Sequence, residues 1–341
     1  MLPRWWNVRW IYPKLNVTAL NVLTADDRNC ILHKKEGIFK MPVLKLNPSC
    51  KDYLWGGEKL RTDFGIQSDL TPLAEAWVLS CHPSGPSFLE SGETLQQYID
   101  THPGCLGTNC AKFKQFPVLV KLIDAKENLS IQVHPSDEYA LAHEGEYGKT
   151  EMWYVLDCEP GAYLYYDFSR EISREEVVSR IQNNTLTEVL NAVPVHKGDS
   201  FFIPSGTLHA ICKGIVIAEV QQNSNITYRV YDYGRVGADG KQRELHVEKA
   251  LDVVSRKPPI KYDFDGHLAQ CEYFTVDIVS GFFTGTVDES SFFSLLIVDG
   301  EGTLSCNGKT AAIRKGDNFF LPAGSGRFKL EGQVQTLVTQ V

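Results

Sequence analysis

The sequence contains no run of apolar residues that approaches the roughly 20 needed for a membrane-spanning helix. Its nine cysteines include no Cys-x-x-Cys pair and are odd in number, which argues against a disulfide framework and against a thiolate metal site. We therefore predict free thiols in a reducing compartment and a cytoplasmic location, with no membrane partner. The first forty residues lack a continuous apolar segment followed by a small-residue cleavage site, so we predict no signal peptide.

A surplus of positive charge is also absent. Lysine and arginine number 34 against 42 aspartates and glutamates, a formal net charge of -8. Because a nucleic-acid surface needs a concentrated basic face, no nucleic-acid partner is predicted. A phosphorylated ligand would need a local cationic pocket. The hydrophobic share of 43% across 341 residues is enough to fill sizeable cores, which argues against a disordered chain.

Helical patterns are short and few. We predict one helix over 92–100 and another over 173–191, where Ser173 is a candidate N-cap ahead of an acidic first turn. Elsewhere the apolar runs are short, β-branched or aromatic, and interrupted by Gly, Pro, Asp or Asn, which is typical of antiparallel strands. The clearest strand signals are FPVLVKLID, LSIQVHP, EMWYVLD, AYLYYD, DSFFIP, GIVIAEVQQ and TYRVYDY, then YFTVDIV, FFSLLIVDG, GTLSCNG, DNFFLPAG and VQTLVTQV. The sequence thus predicts a mainly β protein with a few short helices.

One internal repeat narrows the fold. The segment that begins at His196 is HKGDSFFIPSGTLHAI, and the segment that begins at Arg314 is RKGDNFFLPAGSGRFK. Two related units are therefore implied. Each copy resembles the second conserved motif of the cupins, small jelly-roll barrels that hold a metal inside, so two cupin barrels are predicted. His209 occupies a candidate ligand position in the first copy and Arg327 replaces it in the second, which predicts metal binding in the first barrel alone.

Residues with the chemistry of metal ligands occur in three of the strand signals. Gln132 and His134 are two apart on a strand and so point to the same face. Glu151 opens an apolar strand, where burial of a carboxylate is costly without a cation; a surface ion pair with Lys149 is the alternative. Each of His134 and His209 alone could be a core histidine bonded to a carbonyl. Together these residues form a nitrogen and oxygen donor set that suits an open catalytic zinc site, although iron(II) or manganese would use the same ligand types.

A second polar group follows the later histidine. Glu219 and Gln221 share one face of a strand signal, and Arg229 lies on the next strand signal with Tyr231 and Tyr233 on its side. Arg229 alone could be an exposed strand residue, and a buried Glu219 would need a partner. Their joint occurrence after His209 favours a functional site.

Four segments in order, LSIQVHP, GKTEMWY, IPSGTLHA and TYRVYDYGR, together resemble the type I phosphomannose isomerases, specifically the short bacterial form. The resemblance runs from about residue 41 to the C-terminus; GKTE replaces the HKPE of the longer eukaryotic form, and its helical insertion is missing. It implies a zinc-dependent isomerase that interconverts mannose 6-phosphate and fructose 6-phosphate through an enediolate, with one zinc ion per chain. Such an enzyme feeds mannose into glycolysis or supplies mannose 6-phosphate for sugar-nucleotide synthesis.

The resemblance also implies residue roles. The implied zinc ligands are Gln132, His134, Glu151 and His209. The implied catalytic residues are Arg229, Glu219 and Lys149, with the proton carried by either Glu219 or Lys149. The implied contacts to the substrate phosphate are Lys121 and Ser130.

Two other functions use the same barrel. A sugar-binding cupin without turnover would be expected to lose at least one of Glu151, Lys149 or Arg229, and the sequence retains all three. A non-haem iron dioxygenase would hold iron, so metal analysis separates it from a zinc isomerase. The expected assembly is a monomer or a homodimer.

We divide the chain into three parts. Residues 1–40 are a leader without sustained periodicity, expected to be disordered or extra to the fold. Residues 41–260 form an N-terminal catalytic cupin domain with small helical elements. Residues 261–341 form a C-terminal cupin-like barrel that binds no metal.

Overall fold

The computed structural model describes residues 43–236 and 240–341, so the leader predicted at 1–40 lies outside the described residues. The prediction of a mainly β protein with a few short helices is confirmed, since the described part contains twenty strands and five α-helices. No helix within the described ranges has the length and apolar character needed to cross a membrane.

Most strands are short, and the helices fall between them along the chain. The strands are β1 (Leu44–Asn47), β2 (Ser49–Lys51), β3 (Glu75–Leu79), β4 (Phe88–Leu89), β5 (Val118–Ala125), β6 (Ile131–Val133), β7 (Glu151–Cys158), β8 (Tyr163–Phe168), β9 (Leu190–Pro194), β10 (Ser200–Ile203), β11 (His209–Ile211), β12 (Ile215–Gln222), β13 (Tyr228–Tyr231), β14 (Ala269–Gln270), β15 (Thr275–Ser280), β16 (Phe283–Val287), β17 (Phe293–Cys306), β18 (Lys309–Arg314), β19 (Asn318–Leu321) and β20 (Gly326–Gln340). The helices are α1 (Lys59–Thr62), α2 (Leu95–Thr101), α3 (Asp137–His143), α4 (Arg174–Gln182) and α5 (Val247–Val253).

Two antiparallel sheets form the N-terminal half of the structure. A six-stranded sheet has the order β10-β7-β12-β5-β3-β2, and a five-stranded sheet has the order β13-β6-β11-β8-β9. Apolar side chains of both sheets share one buried cluster, which includes Trp153 and Ile217 from the first sheet and Leu164 and Ile211 from the second. Because side chains two residues apart on a strand point to the same face, polar residues at that spacing from these apolar ones face the same interface between the sheets.

A nine-stranded sheet forms the C-terminal half. Its main order is β14-β15-β20-β17-β19-β1-β4, with β16 paired to β20 and β18 paired to β17. The second repeat copy supplies β19, and β1 from the start of the described chain pairs with it, Leu44 opposite Phe320. The strand signals on either side of 301 are one continuous strand, β17. The boundaries 41–260 and 261–341 stay a prediction, with β1 contributing to the C-terminal sheet.

The helix predicted over 173–191 is shorter than the pattern suggested. Ser173 caps α4 as expected, and its hydroxyl accepts a hydrogen bond of 3.1 Å from the backbone N–H of Glu176. The helix ends at Gln182, and Asn184 follows with a φ of 56°, a left-handed conformation that does not continue a helix. A short 3-10 turn then leads directly into β9. The helix predicted over 92–100 begins later, at Leu95, where Thr94 caps it.

Candidate metal centre and active site

Three side chains from distant parts of the sequence converge on one buried point. His134, Glu151 and His209 each present a ligand-type atom, and these atoms all lie within 4.8 Å of one another. Glu151 Oε1 lies 3.3 Å from His209 Nε2, and Glu151 Oε2 lies 3.6 Å from His134 Nε2. Glu151 opens β7 of the six-stranded sheet, whereas His209 opens β11 of the five-stranded sheet and His134 directly follows β6. The centre therefore lies between the two sheets.

Backbone carbonyls orient both histidines. His134 Nδ1 lies 2.7 Å from the carbonyl oxygen of Ile226, and His209 Nδ1 lies 2.9 Å from that of Thr207. Because a carbonyl only accepts, each Nδ1 carries the proton and each Nε2 presents its lone pair to Glu151. Burial lowers the pKa of His209 to about 4 and moves the pKa of His134 well below its usual value, so both imidazoles are neutral at neutral pH. Neutral imidazole is the form that binds a metal.

The atoms at this centre have unused bonding capacity. His134 Nε2 and Glu151 Oε1 are buried and have no hydrogen-bond partner among the described residues. Buried polar atoms without partners cost free energy, which a bound cation would offset. Two neutral imidazoles and a carboxylate, with no thiolate, are a donor set found in catalytic zinc sites and also used by iron(II) and manganese. The residues present therefore fit a divalent metal ion.

Gln132, the fourth predicted ligand, also reaches the centre. It lies directly opposite His209 in the pairing of β6 with β11, and its Nε2 is 3.4 Å from His209 Nε2. Its Oε1 accepts a hydrogen bond of 3.1 Å from the hydroxyl of Ser130. Rotation of the side-chain amide that exchanges Oε1 and Nε2 would present Oε1 to the centre instead.

Charges of alternating sign extend from the centre along the six-stranded sheet. Lys149 Nζ lies 2.7 Å from Glu151 Oε2 and 3.6 Å from Glu219 Oε1. Lys121 Nζ lies 3.4 Å from the same oxygen of Glu219 and 3.7 Å from Glu75 Oε2. None of these five side chains is more than 9% exposed. The pair of Lys149 and Glu151 is thus buried, and the surface pair considered from the sequence is excluded.

Strand pairing explains why these groups meet. Glu219 on β12 lies opposite Lys121 on one side and Trp153 on the other, and Lys121 in turn lies opposite Trp77 on β3. Trp153 Nε1 donates to Glu219 Oε2 at 3.0 Å, and Trp77 Nε1 donates to Glu75 Oε2 at 2.7 Å. Glu75 and Trp77 are missing from the sequence-based prediction. The available signal was a carboxylate that opens the fully buried strand EAWVL, the same feature that identified Glu151.

The charges set the protonation of the two central carboxylates. Burial and the charge of Glu219 raise the pKa of Glu151 to about 7, against the opposing effect of Lys149. Burial also disfavours ionised Glu219, but Lys149 and Lys121 outweigh it and hold the pKa of Glu219 well below its usual range. Burial of Lys121 is likewise outweighed by Glu75 and Glu219, which raise its pKa. Lys121 and Glu219 are therefore charged at neutral pH, and Glu151 exchanges its proton there.

Arg229 lies on β13 beside the metal centre. It is half-buried and stands directly opposite Gln132 in the pairing of β13 with β6. Its backbone is fixed at both ends by His246, whose N–H donates to the Arg229 carbonyl at 2.7 Å and whose Nδ1 accepts from the Arg229 N–H at 3.3 Å. Its Nε is buried and has no hydrogen-bond partner in the described part of the chain. Part of the donor capacity of this guanidinium is therefore unused.

Two family models match the chain. Residues 43–157 match phosphomannose isomerase type I, catalytic domain, and residues 265–341 match mannose-6-phosphate isomerase, cupin domain. The chain is 37% identical over 315 residues to mannose-6-phosphate isomerase ManA of Bacillus subtilis, which covers 87% of this chain and 98% of that protein.

Solved structures show the same fold. The crystal structure of the mannose 6-phosphate isomerase from Bacillus subtilis is 36% identical and superposes with a TM-score of 0.81, covering 88% of this chain and 99% of that one. A mannose 6-phosphate isomerase bound with zinc and yttrium superposes with a TM-score of 0.69 at 17% identity, covering 87% of this chain and 98% of that one, which shows likeness of fold.

Proposed function

The chain belongs to the type I mannose-6-phosphate isomerases, and from that premise we propose that it interconverts mannose 6-phosphate and fructose 6-phosphate with one zinc ion per chain. The convergence of His134, Glu151 and His209, with buried atoms that lack partners, is the observation that carries the proposal. A mannose 6-phosphate isomerase with the same fold was solved bound with zinc and yttrium, which supports zinc as the metal. Gln132 would complete the set through Oε1.

We propose an enediolate intermediate. His134, Glu151 and His209 would hold the zinc ion, whose Lewis acidity would stabilise the negative charge that grows on the oxygens of the open-chain sugar. The proton that moves between C2 and C1 needs a carrier on this chain, either Lys149 or Glu219. The low pKa of Glu219 makes it a weak base, because proton transfer is most efficient when the pKa lies near the working pH. We therefore assign the transfer to Lys149 in its neutral amine form, which would take the proton from one carbon and return it to the other, and we assign the orientation of the Lys149 side chain to Glu219.

Arg229, Lys121 and Ser130 complete the proposed site. Arg229 has an unused donor beside Gln132, and we assign it to the charge that develops during enolisation. Lys121 and Ser130 are assigned to the substrate phosphate, whose binding orients the reacting carbons. The Lys121 ammonium lies between Glu219 and Glu75, so the phosphate would compete with Glu75 for it.

The cellular setting belongs to the same proposal. All eight cysteines in the described ranges are free, which supports a reducing compartment such as the cytoplasm. The reaction would feed mannose into glycolysis or supply mannose 6-phosphate for sugar-nucleotide synthesis. A monomer or a homodimer is the proposed assembly.

A coupled assay for fructose 6-phosphate, with and without a chelator, tests the proposal. Formation of fructose 6-phosphate from mannose 6-phosphate should stop after chelation and return when zinc is added, and metal analysis of the purified protein should find zinc. A sugar-binding cupin would show no turnover under any condition. A dioxygenase would contain iron. Full activity after exhaustive metal removal would contradict the zinc proposal.

A further inference from the structure

The segment that carries Lys149 has no regular secondary structure of its own. Residues 144–150 connect α3 to β7 without helix or strand, yet Gly148, Lys149 and Thr150 are buried. Buried backbone groups outside helices and sheets need partners from elsewhere in the protein. The partners of these three residues therefore decide where the Lys149 side chain projects.

Asp137 supplies those partners, directly on one side of Lys149 and through an amide on the other. Asp137 Oδ1 accepts from the Gly148 N–H at 2.7 Å and from Gln222 Nε2 at 2.9 Å. Gln222 Oε1 in turn accepts from the Thr150 N–H at 2.7 Å. The carboxylate of Asp137 thus holds the residue before Lys149 directly and the residue after it through Gln222. Hydrogen bonds to a carboxylate are stronger than those to a neutral acceptor.

The residue that follows His134 also holds this segment in place. The Lys149 N–H donates to the Pro135 carbonyl at 3.0 Å, so the Lys149 backbone is tied to the residue after His134. A Cβ added at Gly148 would lie 2.4 Å from the Ser136 carbonyl carbon, so no larger residue fits there without a shift of backbone. This close approach brings the Gly148 N–H within reach of Asp137.

The C-terminal unit, residues 265–341, contacts the other oxygen of Asp137. Tyr273 lies within the region that matches the cupin-domain family model, and its hydroxyl donates to Asp137 Oδ2 at 2.8 Å across 136 residues of sequence. Burial and the bond to Asp137 raise the pKa of Tyr273, so its phenol keeps the proton that it donates. The two oxygens of Asp137 therefore face different halves of the structure.

We propose that Asp137 and Tyr273 are positioning residues for the isomerase reaction, through which the C-terminal unit holds Lys149 at the metal centre. The inference rests on the proposed role of Lys149. Neither residue touches the reacting atoms; each acts on the backbone that aims the Lys149 ammonium at Glu151 and Glu219. Displacement of a catalytic group by about 1 Å is enough to reduce turnover by up to about 10².

A double-mutant cycle between Asp137 and Lys149 tests the inference. Lys149→Ala should lower kcat by roughly 10² to 10³, as expected for loss of a proton carrier, with all variants assayed at saturating zinc because the lost ammonium also changes the charge of Glu151. Asp137→Ala should lower kcat by about 10- to 100-fold, with zinc content and KM for mannose 6-phosphate nearly unchanged. If Asp137 acts through Lys149, the double variant should match Lys149→Ala to within about twofold. A residue that only stabilises the fold would instead lower kcat in both backgrounds by the same factor.

Milder variants keep the test informative if Asp137→Ala folds poorly. Asp137→Asn retains an Oδ1 acceptor and should keep most of the activity, and Tyr273→Phe should lower kcat several-fold by the same route, with no further loss in the Lys149→Ala background. Glu138→Ala, an exposed carboxylate on the same helix, and Tyr262→Phe are the matched controls and should be neutral.

The outcomes separate the two claims. Additive losses in the cycle, or unchanged kcat in both Asp137→Ala and Tyr273→Phe, would overturn the positioning role while the role of Lys149 stands. Unchanged kcat in Lys149→Ala would overturn both, since there would be no catalytic group to position.

Discussion

The ammonium of Lys149 lies 2.7 Å from Oε2 of Glu151, and both side chains are buried. The sequence indicated that the two residues could be neighbours, and the structure shows that their contact affects the protonation of Glu151. Burial and Glu219 favour the protonated form of Glu151, and Lys149 opposes them. Removal of the lysine charge would therefore change both the proton carrier and the charge of a proposed zinc ligand.

The pH dependence of zinc binding follows from Glu151. Its pKa of about 7 in the metal-free protein means that a proton must be displaced by zinc below pH 7, whereas none is present well above it. Zinc affinity should therefore fall by up to about tenfold per pH unit below pH 7 and level off above pH 8. Competition titrations with a chelator between about pH 5.5 and about pH 8.5, roughly 1.5 units either side of the transition, would measure this. Glu219→Gln should move this transition to lower pH, because the charge of Glu219 raises the pKa of Glu151. A zinc affinity that stays constant across this pH range would contradict the prediction.

Loss of a proposed ligand should remove zinc before it disrupts the fold. His134→Ala, His209→Ala and Glu151→Gln should each lower zinc content to a small fraction of one per chain and abolish turnover, because an open site has no ligand to spare. Gln132→Ala should weaken binding less. Elemental analysis with circular dichroism would test this. His143→Ala, an exposed histidine on α3, is the control and should retain zinc.

Arg229 tests the mechanism. If its guanidinium stabilises charge that grows during enolisation, Arg229→Ala should lower kcat by roughly 10² to 10³ with little change in zinc content or melting temperature. Lysine keeps the charge but loses the planar fork, so Arg229→Lys should recover part of the rate. Steady-state kinetics on both variants would measure this. A pure rise in KM with kcat preserved would identify Arg229 as a phosphate anchor instead.

Variants of Lys121 would show whether this lysine binds the substrate phosphate or only neutralises buried carboxylates. Lys121→Ala would leave Glu75 and Glu219 buried without their shared cation, which costs about 3–5 kcal/mol of unfolding free energy. Lys121→Ala combined with Glu75→Gln removes one of those charges and should regain part of that stability. If Lys121 also binds phosphate, KM for mannose 6-phosphate should stay raised in the stabilised double variant. Recovery of a wild-type KM there would exclude the phosphate role.

Asn318 forms hydrogen bonds that join the two halves of the structure. Its Nδ2 donates to the Val78 carbonyl on β3 at 3.0 Å, and its Oδ1 accepts from Ser294 at 2.9 Å. Asn318→Ala would leave buried groups unpaired and should cost about 1–3 kcal/mol of unfolding free energy with kcat at moderate temperature unchanged. Ser200→Ala, at the equivalent place in the first repeat copy, should cost less. Equal losses in the two variants, by thermal or urea unfolding, would contradict this role.

Much of the candidate site could be predicted from the sequence. Gln132 and His134 share a strand face, and His209 stands at a fixed place in the repeated motif, so local spacing was enough to nominate them. The end of α4 could not be predicted as well. Its helical pattern continues to Asn191, but the left-handed backbone at Asn184 ends the helix and the chain joins a sheet whose other strands come from elsewhere in the sequence.

The sequence by itself determined the β class, the repeated unit and the residue types of the metal centre, because strand periodicity, turn residues and motif spacing are local properties. Only the tertiary structure decided which buried charges become partners. Glu219 meets Lys121 and Trp153 because β12 lies between β5 and β7 in one register, and a shift by one residue would turn Glu219 to the other face. Asp137 meets Tyr273 because the two halves of the structure pack together. Such contacts depend on how distant segments are packed, which no local pattern encodes.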